Sequence, residues 1–428
     1  MWRRALAGLL VVGTLLPLAG CWDAASPEHI AWVSAIGVDA GGEGNFVFTF
    51  QTIVPRAVTS GGGGGLGGGG GGGGGQGHSF VVYSVEAPDV ITAIEMSDAF
   101  VARRVNLLHT KVLILGEEVV ERGVTPLLAP AIRYREFRRT LHVLVSRGAA
   151  RDFLRLAQPR LETDPGLWYE VMLTWQRETQ LVPPTRIHEF VIAIEEPGLG
   201  ARAALVAPRE DVAAKEEEIA ERASEGRFGS PAAVLAGDVS RLGEMPVEFM
   251  GTAVFKRDRL AGFLTGQETR AVALLRGELS RRTPISIPDP TEPEQRVVLI
   301  IQNQAAPEIR TRLTDDGVHV DFVVRVEGDI GSIPSATDYA EANYITLLEE
   351  AAEKYIGLVV EDVLETSLQE WGTDLYRLGE RLRAAFPTTS AWAAFDWASR
   401  VKDTTFTVEI QFKVRRHGLQ TEPSRPGR

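Results

Sequence analysis

A single cysteine, Cys21, stands in a chain of 428 residues, and the segment before it decides where the rest must fold. Arg3 and Arg4 open that segment, an apolar run from Ala5 to Leu16 follows, and Ala19 and Gly20 bring small residues up to the cysteine. A positive start, a short apolar stretch and a small-residue cleavage site are the marks of an export signal. The run is too short to cross a bilayer, which takes about 20 apolar residues. Residues 1–20 therefore read as a signal peptide, with the mature chain outside the membrane. One cysteine can form neither an intramolecular disulfide nor a cysteine-based zinc site. The fold has to rest on buried apolar side chains. A chain that is 44% hydrophobic and 24% charged has enough of them for two or three domains.

The ending Leu18-Ala19-Gly20-Cys21 resembles the bacterial lipobox, in which the cysteine thiol is diacylated and becomes the mature N-terminus. Cys21 is the expected site of lipidation, palmitate included. Loss of Arg3 and Arg4 with the signal takes the formal net charge from −12 to −14. Such a chain has no electrostatic attraction for nucleic acid or anionic lipid. Membrane attachment is expected through the lipid anchor, and nucleic acid is not an expected partner.

The remaining pattern predicts an α+β fold: mixed sheets flanked by helices in two or three domains, with a long helix in the last. Ile30–Asp39, Phe46–Gln51 and Phe80–Val85 read as strands. Between the last two lies a run of glycine, 61–77, broken only by Leu66 and Gln76, which has too little side chain to pack. It reads as the loop of a hairpin, not as a phosphate cradle, because no Gly-Lys-Ser/Thr closes it. Pro88–Ala102 reads as a helix, Val112–Leu115 as a buried strand, Glu117–Arg122 as a helix, Leu141–Val145 as a strand, and a further helix starts near Ala149. These make an N-terminal domain over residues 21–200. Residues 201–246, rich in charge and alanine, read as a linker or small middle region. A C-terminal domain follows over 247–418. Its signals are a hairpin around Lys256-Arg257-Asp258-Arg259, a helix over Gly266–Arg276, strands at Arg296–Gln302, Val318–Val326 and Thr405–Val414, and a long helix over Asp338–Gly372. Residues 419–428 read as a disordered tail. In the long helix the apolar positions recur every four residues, which drifts around a 3.6-residue turn. That pattern predicts either two packing partners or a bend at Gly357, and Ser335 with Asp338 has capping-box spacing at its start.

Signals for chemistry are sparse. The histidines, at 29, 78, 109, 142, 188, 319 and 417, show no metal-ligand spacing, and no Gly-x-Ser-x-Gly elbow occurs. No cofactor, metal or catalytic residue is predicted, and the chain is expected not to be an enzyme, although acids distant in sequence still leave a glycosidase-like pair open. Two basic clusters stand out: Arg103, Arg104, His109 and Lys111, and then Arg133, Arg135, Arg138 and Arg139. The first is the candidate partner-binding site, weighed against plain solvation with local ion pairs. Trp371, Trp392 and Trp397 read as core anchors.

In order, these segments resemble the Ger(x)C family, the lipoprotein C subunit of bacterial spore germinant receptors. Cys21-Trp22-Asp23 with Ile36-Gly37-Val38-Asp39 resembles its mature start. Arg103-Arg104, His109-Thr110-Lys111 and Leu113-Ile114-Leu115-Gly116-Glu117 resemble its basic-strand-Gly-Glu motif. Ala253-Val254-Phe255-Lys256 with Asp258, Leu260, Ala261 and Gly262 resembles the hairpin that opens its C-terminal domain. Trp371, Thr373-Asp374, Gly379, Phe386-Pro387, Trp392 and Gly418 continue the pattern, while 200–246 matches poorly. The resemblance implies a non-catalytic subunit of a nutrient germinant receptor required for spore germination. Two integral membrane subunits are its implied partners, on the outer face of the spore inner membrane. The alternative is a solute-binding lipoprotein of a transporter, for which two similar lobes would be expected.

Overall fold

The computed structural model describes residues 26–54, 79–159, 161–209, 230, 232–239, 241, 245–279, 283–314 and 317–416, together with 2 and 3. Cys21, His78, the glycine run 61–77, residues 210–229, His417 and the tail 419–428 lie outside them.

Four parallel strands form the centre of the first sheet: β1 (Ile30–Ala40), β5 (Val112–Gly116), β6 (His142–Ser146) and β7 (Gly200–Pro208). Antiparallel β2 (Phe46–Ile53) and β3 (Phe80–Ala87) extend one side, and β8 (Val247–Lys256) and β9 (Arg259–Leu264) the other. A short β4 (Arg104–Asn106) runs parallel to the start of β1. β5 is buried along its whole length, as a strand covered on both faces must be. Alternation sorts its side chains: Leu113 and Leu115 enter one core, Val112 and Ile114 the other. The first core is covered by α1 (Val90–Ser97), α2 (Glu117–Arg122), α3 (Thr125–Ala131) and, after the next two helices in the chain, by Ile187 and Phe190 of α6. Those two, α4 (Ala150–Leu156) and α5 (Pro165–Thr179), cover the second core through Phe153, Leu154, Tyr169 and Leu173, and α6 itself spans Ile187–Glu195. The hairpin reading of β2 and β3 holds, with Ile53 opposite Phe80 closing the ladder around the glycine run.

The second sheet is built on β13 (Gly317–Ser332). Its burial alternates along the strand, so Val318, Val320, Phe322, Val324 and Val326 all face one core. β12 (Glu308–Thr314) and β11 (Arg296–Asn303) pair with successive parts of β13, β10 (Thr283–Pro288) pairs with β11, and β14 (Thr404–Arg416) runs parallel to β13. Helices α7 (Gly266–Leu275) and α8 (Ala342–Leu364) supply the rest of this core.

In α8 the apolar recurrence of four is real: Leu348, Ala352, Ile356, Val360 and Leu364 are all buried. The helix runs unbroken through Gly357 and packs on more than one partner: α7, β14 and β10. It then passes into a wider π-helical turn over Glu365–Glu370, where the Trp371 N–H reaches back five residues to the Thr366 carbonyl. Glu353 accepts the Phe412 N–H at 2.8 Å and Glu349 the Val414 N–H at 2.9 Å. One turn apart on the helix, these carboxylates satisfy donors on β14 that an edge strand would otherwise leave open.

Several expectations need correction. The residues expected to begin a linker at 201 are instead strand β7, because Ala203-Ala204-Leu205-Val206 are apolar enough for a central strand. The hairpin β8–β9, read as the opening of the C-terminal domain, also pairs into the first sheet. Segment 232–239 packs on the first core through Ala236, and buried Glu248 accepts the Gly237 N–H at 2.7 Å and pairs with Arg209 at 3.2 Å and Arg241 at 2.8 Å. The helix expected over Pro88–Ala102 is shorter, beginning after Asp89, whose side chain accepts from the Ile91 and Thr92 N–H groups. Ser335 does not cap α8. It donates to Asp289 at 2.6 Å, beside the Tyr339 hydroxyl at 2.6 Å and Thr291.

The two sheets meet at a seam around Asp374. Its backbone N–H donates to the Gly198 carbonyl at 2.9 Å, and its carbonyl accepts from Gly200 at 2.9 Å, so residue 374 pairs with the entry to β7. The Asp374 carboxylate is buried and accepts the Tyr376 N–H at 2.9 Å and the Gly379 N–H at 2.8 Å. Beside it, a Cβ on Gly262 would stand 2.3 Å from the Trp371 ring, so only glycine lets β9 approach that indole. Trp397 is buried, as a core anchor is, whereas Trp371 and Trp392 are half-buried against the second core, Trp392 packing on Phe386 and Phe395.

Burial alone would raise the pKa of Asp289, but the donors from Ser335, Tyr339 and Thr291 outweigh it and hold the carboxyl below its ordinary 3.8. A depressed folded value means stability present above pH 3.8 and lost as pH falls through the lower one. Asp289→Ala is expected to cost about 1–3 kcal/mol at neutral pH, by orphaning buried hydroxyls. In urea titrations the gap between wild type and variant should be constant above about pH 5 and shrink below about pH 4. A gap independent of pH down to about 2 would show that the carboxylate charge contributes nothing.

Asp374→Ala leaves two buried amides without acceptors and should destabilise the chain by about 2–4 kcal/mol. Hydrogen exchange should show protection lost first around 198–200 and 371–379. Uniform exchange with an unchanged urea midpoint would show that the seam is held by packing alone.

Candidate functional site

A parallel sheet offers ligands the carboxyl ends of its strands. Here that edge is closed by the chain itself. Asp39, at the end of β1, accepts the Ala150 N–H at 2.6 Å and the Arg151 N–H at 2.9 Å, taking the α4 N-terminus that an anion would need. Burial pushes the Asp39 carboxyl above its usual value despite these donors. Glu117 accepts the Gly148 N–H at 2.8 Å. A Cβ on Gly116 would come within 2.2 Å of Asp39 Oδ1, so the glycine makes room for the cap. Asp39, Gly116 and Glu117 are thus structural.

The opposite edge is open. At the amino ends of β5 and β6 lies a cleft of about 350 Å³, floored by Leu108, Leu141 and Leu173 and walled by His109, Thr110, Lys111, Arg138, His142, Glu170, Arg177 and Arg186. The ladder positions its two strand-end residues: the Lys111 N–H donates to Ser34 O at 2.8 Å and the His142 N–H to Lys111 O at 2.9 Å. Helix α5 contributes Glu170 and Arg177, one on each side of Thr174. The Lys111 ammonium donates to Glu170 at 2.8 Å and lowers that carboxyl's pKa. Burial, then Arg186 and Arg177, lowers the pKa of His142, leaving a neutral imidazole among cations at neutral pH.

Of the candidate cluster, His109 and Lys111 line this cleft, with the His109 ring edge-on to Trp32 at 4.6 Å. Arg104 turns away to half-pair with buried Glu136 at 3.4 Å, and exposed Arg103 does not line the cleft. Arg138, from the second basic cluster, does. Arg177, Arg186, His142 and Glu170 were not singled out from the sequence: they come from an amphipathic helix, a helix entry and a strand start, and no local motif links them. Among the described residues there is no group of three or more His, Cys, Asp or Glu able to hold a metal. The hydroxyls of Thr110 and Thr174 donate to the Val33 and Glu170 carbonyls. The arrangement is suited to holding negative charge. Among the described residues no helix is long and apolar enough to cross a membrane.

Comparison with known proteins agrees with the motif placement. Residues 23–207 match the family model "Spore germination protein N-terminal domain", and residues 250–418 match "Spore germination B3/ GerAC like, C-terminal". Spore germination protein KC of Bacillus subtilis (strain 168) is 30% identical over 161 residues, 37% of this chain and 38% of that protein, so this alignment spans well under half of either. A second protein of that strain, YfkR, named for spore germination, is 22% identical over 391 residues, 90% of each chain. The crystal structure of the GerBC protein superposes with a TM-score of 0.51 at 15% identity, over 89% of this chain and 96% of that one, and so shares the fold. With both halves matched, in order, and the fold in common, the chain belongs to the Ger(x)C family.

Proposed function

We propose that this protein works as the lipid-anchored, non-catalytic C subunit of a nutrient germinant receptor, tethered through Cys21 to the outer face of the spore inner membrane and docked on two integral membrane subunits. The family supports the receptor role. The observation that carries the reading is where its motifs fall: Asp39, Gly116, Glu117, Gly262, Asp374 and Gly379 build joints of the fold. A pattern made of joints describes a scaffold. The lipobox spacing supports the anchor. A two-lobed solute binder gains no support, since one sheet has a parallel centre and the other is largely antiparallel.

Cys21→Ala is expected to move the protein from the membrane pellet to the soluble fraction when its membrane subunits are absent. A single acyl chain binds only marginally, so two chains on one cysteine make the difference between stable and fleeting attachment. Retention of Cys21→Ala in the pellet of such cells would refute the anchor. Full-length protein co-purifying with two membrane subunits is the expected result for the docking part, and its recovery alone from detergent would refute it.

A further inference from the structure

Arginines in this acidic chain are commonly neutralised in place. Arg147 meets Asp238 at 2.7 Å, Arg202 meets Glu278 at 3.3 Å, and Arg209 meets Glu248 at 3.2 Å. The cleft at the amino ends of β5 and β6 is different. Arg138, Arg177 and Arg186 enter it from a loop, helix α5 and the entry to α6, and among the described residues no carboxylate lies within 4.0 Å of their guanidinium groups, the nearby Glu189 accepting from the Arg186 backbone N–H at 3.1 Å. Lys111 adds a fourth cation, and among the described residues Glu170 is the one carboxylate that lines the cleft. A charged stripe on one helix would be a solvated face. Cations converging from separate segments on a leucine-floored hollow are not, because bringing like charges together is unfavourable unless a counter-charge joins them.

Other candidates fail this comparison. The carboxyl edge of the sheet is closed by Asp39. Arg276, in the cleft near Tyr376, is paired with Glu278 at 2.6 Å. The apolar hollow between α7 and α8 has only about 40 Å³.

We propose that this cleft binds a small oxyanion carrying two or more negative charges, held by the guanidinium groups of Arg138, Arg177 and Arg186 and the Lys111 ammonium. Guanidinium forks fit the paired oxygens of carboxylate and phosphate groups. A hollow of about 350 Å³ is the size of a small-molecule site, not of a peptide groove. The Lys111–Glu170 contact acts as an internal competitor: Glu170 holds the lysine that the ligand would share.

Full-length protein purified in detergent is titrated calorimetrically with citrate and with pyrophosphate, each at fixed ionic strength. Saturable binding of one anion per chain, in the sub-millimolar range, is expected for at least one of the two, and the preferred probe identifies carboxylate or phosphate as the chemistry. Arg177→Gln and Arg186→Gln should each weaken it about tenfold or more, as expected for losing a charge-assisted fork. Glu170→Gln should strengthen it by freeing Lys111, which damage to the fold would not do. Arg310→Gln, on the exposed strand β12, should change nothing. The proposal fails if neither anion saturates, if binding is the same in Arg177→Gln and Arg186→Gln as in wild type, or if only a poly-glutamate peptide binds.

Discussion

One buried residue, Asp374, ties the two sheets: its carboxylate folds the turn over 374–379, and its backbone pairs with the entry to β7. Asp374 lies where the chain leaves the long helix, and no lysine or arginine pairs with it among the described residues. Desolvation raises its pKa, and backbone N–H groups from Gly379, Leu378 and Tyr376 oppose that rise. The same residue's backbone pairs with Gly198 and Gly200, so the start of β7 and the end of the helical segment are placed by one residue. Strand β7 is central to the first sheet and the helix covers the second, so a shift at this seam moves both cores. In a chain with no disulfide among its described residues, joints of this kind take the place of covalent staples.

The seam also explains why the chain is not simply two domains in series. The family models divide it between 207 and 250, whereas the first sheet continues past that division through β8 and β9. Glu248 ties this crossing down by pairing with Arg209 and Arg241 in a buried cluster. With the crossing buried and the carboxyl edge capped by Asp39, the face left for chemistry is the amino edge, the reverse of the usual arrangement in parallel sheets.

Much of this was legible in the sequence, and the failures have physical reasons. β5, β13 and β14 declared themselves because burial on a sheet imposes period two or a continuous apolar run, and those patterns depend on few neighbours. α8 declared itself through its period of four, and its packing on more than one partner accounts for that period. β7 was mistaken for linker because alanine-rich strands carry little β propensity, and only its place between β6 and β8 selects the extended form. Of the candidate site, His109 and Lys111 were legible as a basic cluster flanking a strand. Arg177 and Arg186 were not, since the sheet, not the chain, brings residues so far apart in sequence to one edge.

That difference bears on what the cleft is for. A lone surface arginine is stabilised by water and needs no partner, and most exposed ion pairs add well under about 1 kcal/mol. Arginines gathered at one hollow act on the groups set among them. The effect is visible in His142, whose imidazole is kept from taking a proton by burial and by Arg186 and Arg177. The fold has the means to relieve it, as Glu136 does beside Arg104 and Glu248 does beside Arg209. Among the described residues lining the cleft it places only Glu170, already engaged by Lys111, against the whole set. A protein whose net charge is −12 has carboxylates in excess, so their scarcity at this one edge is a property of the site and not of the composition.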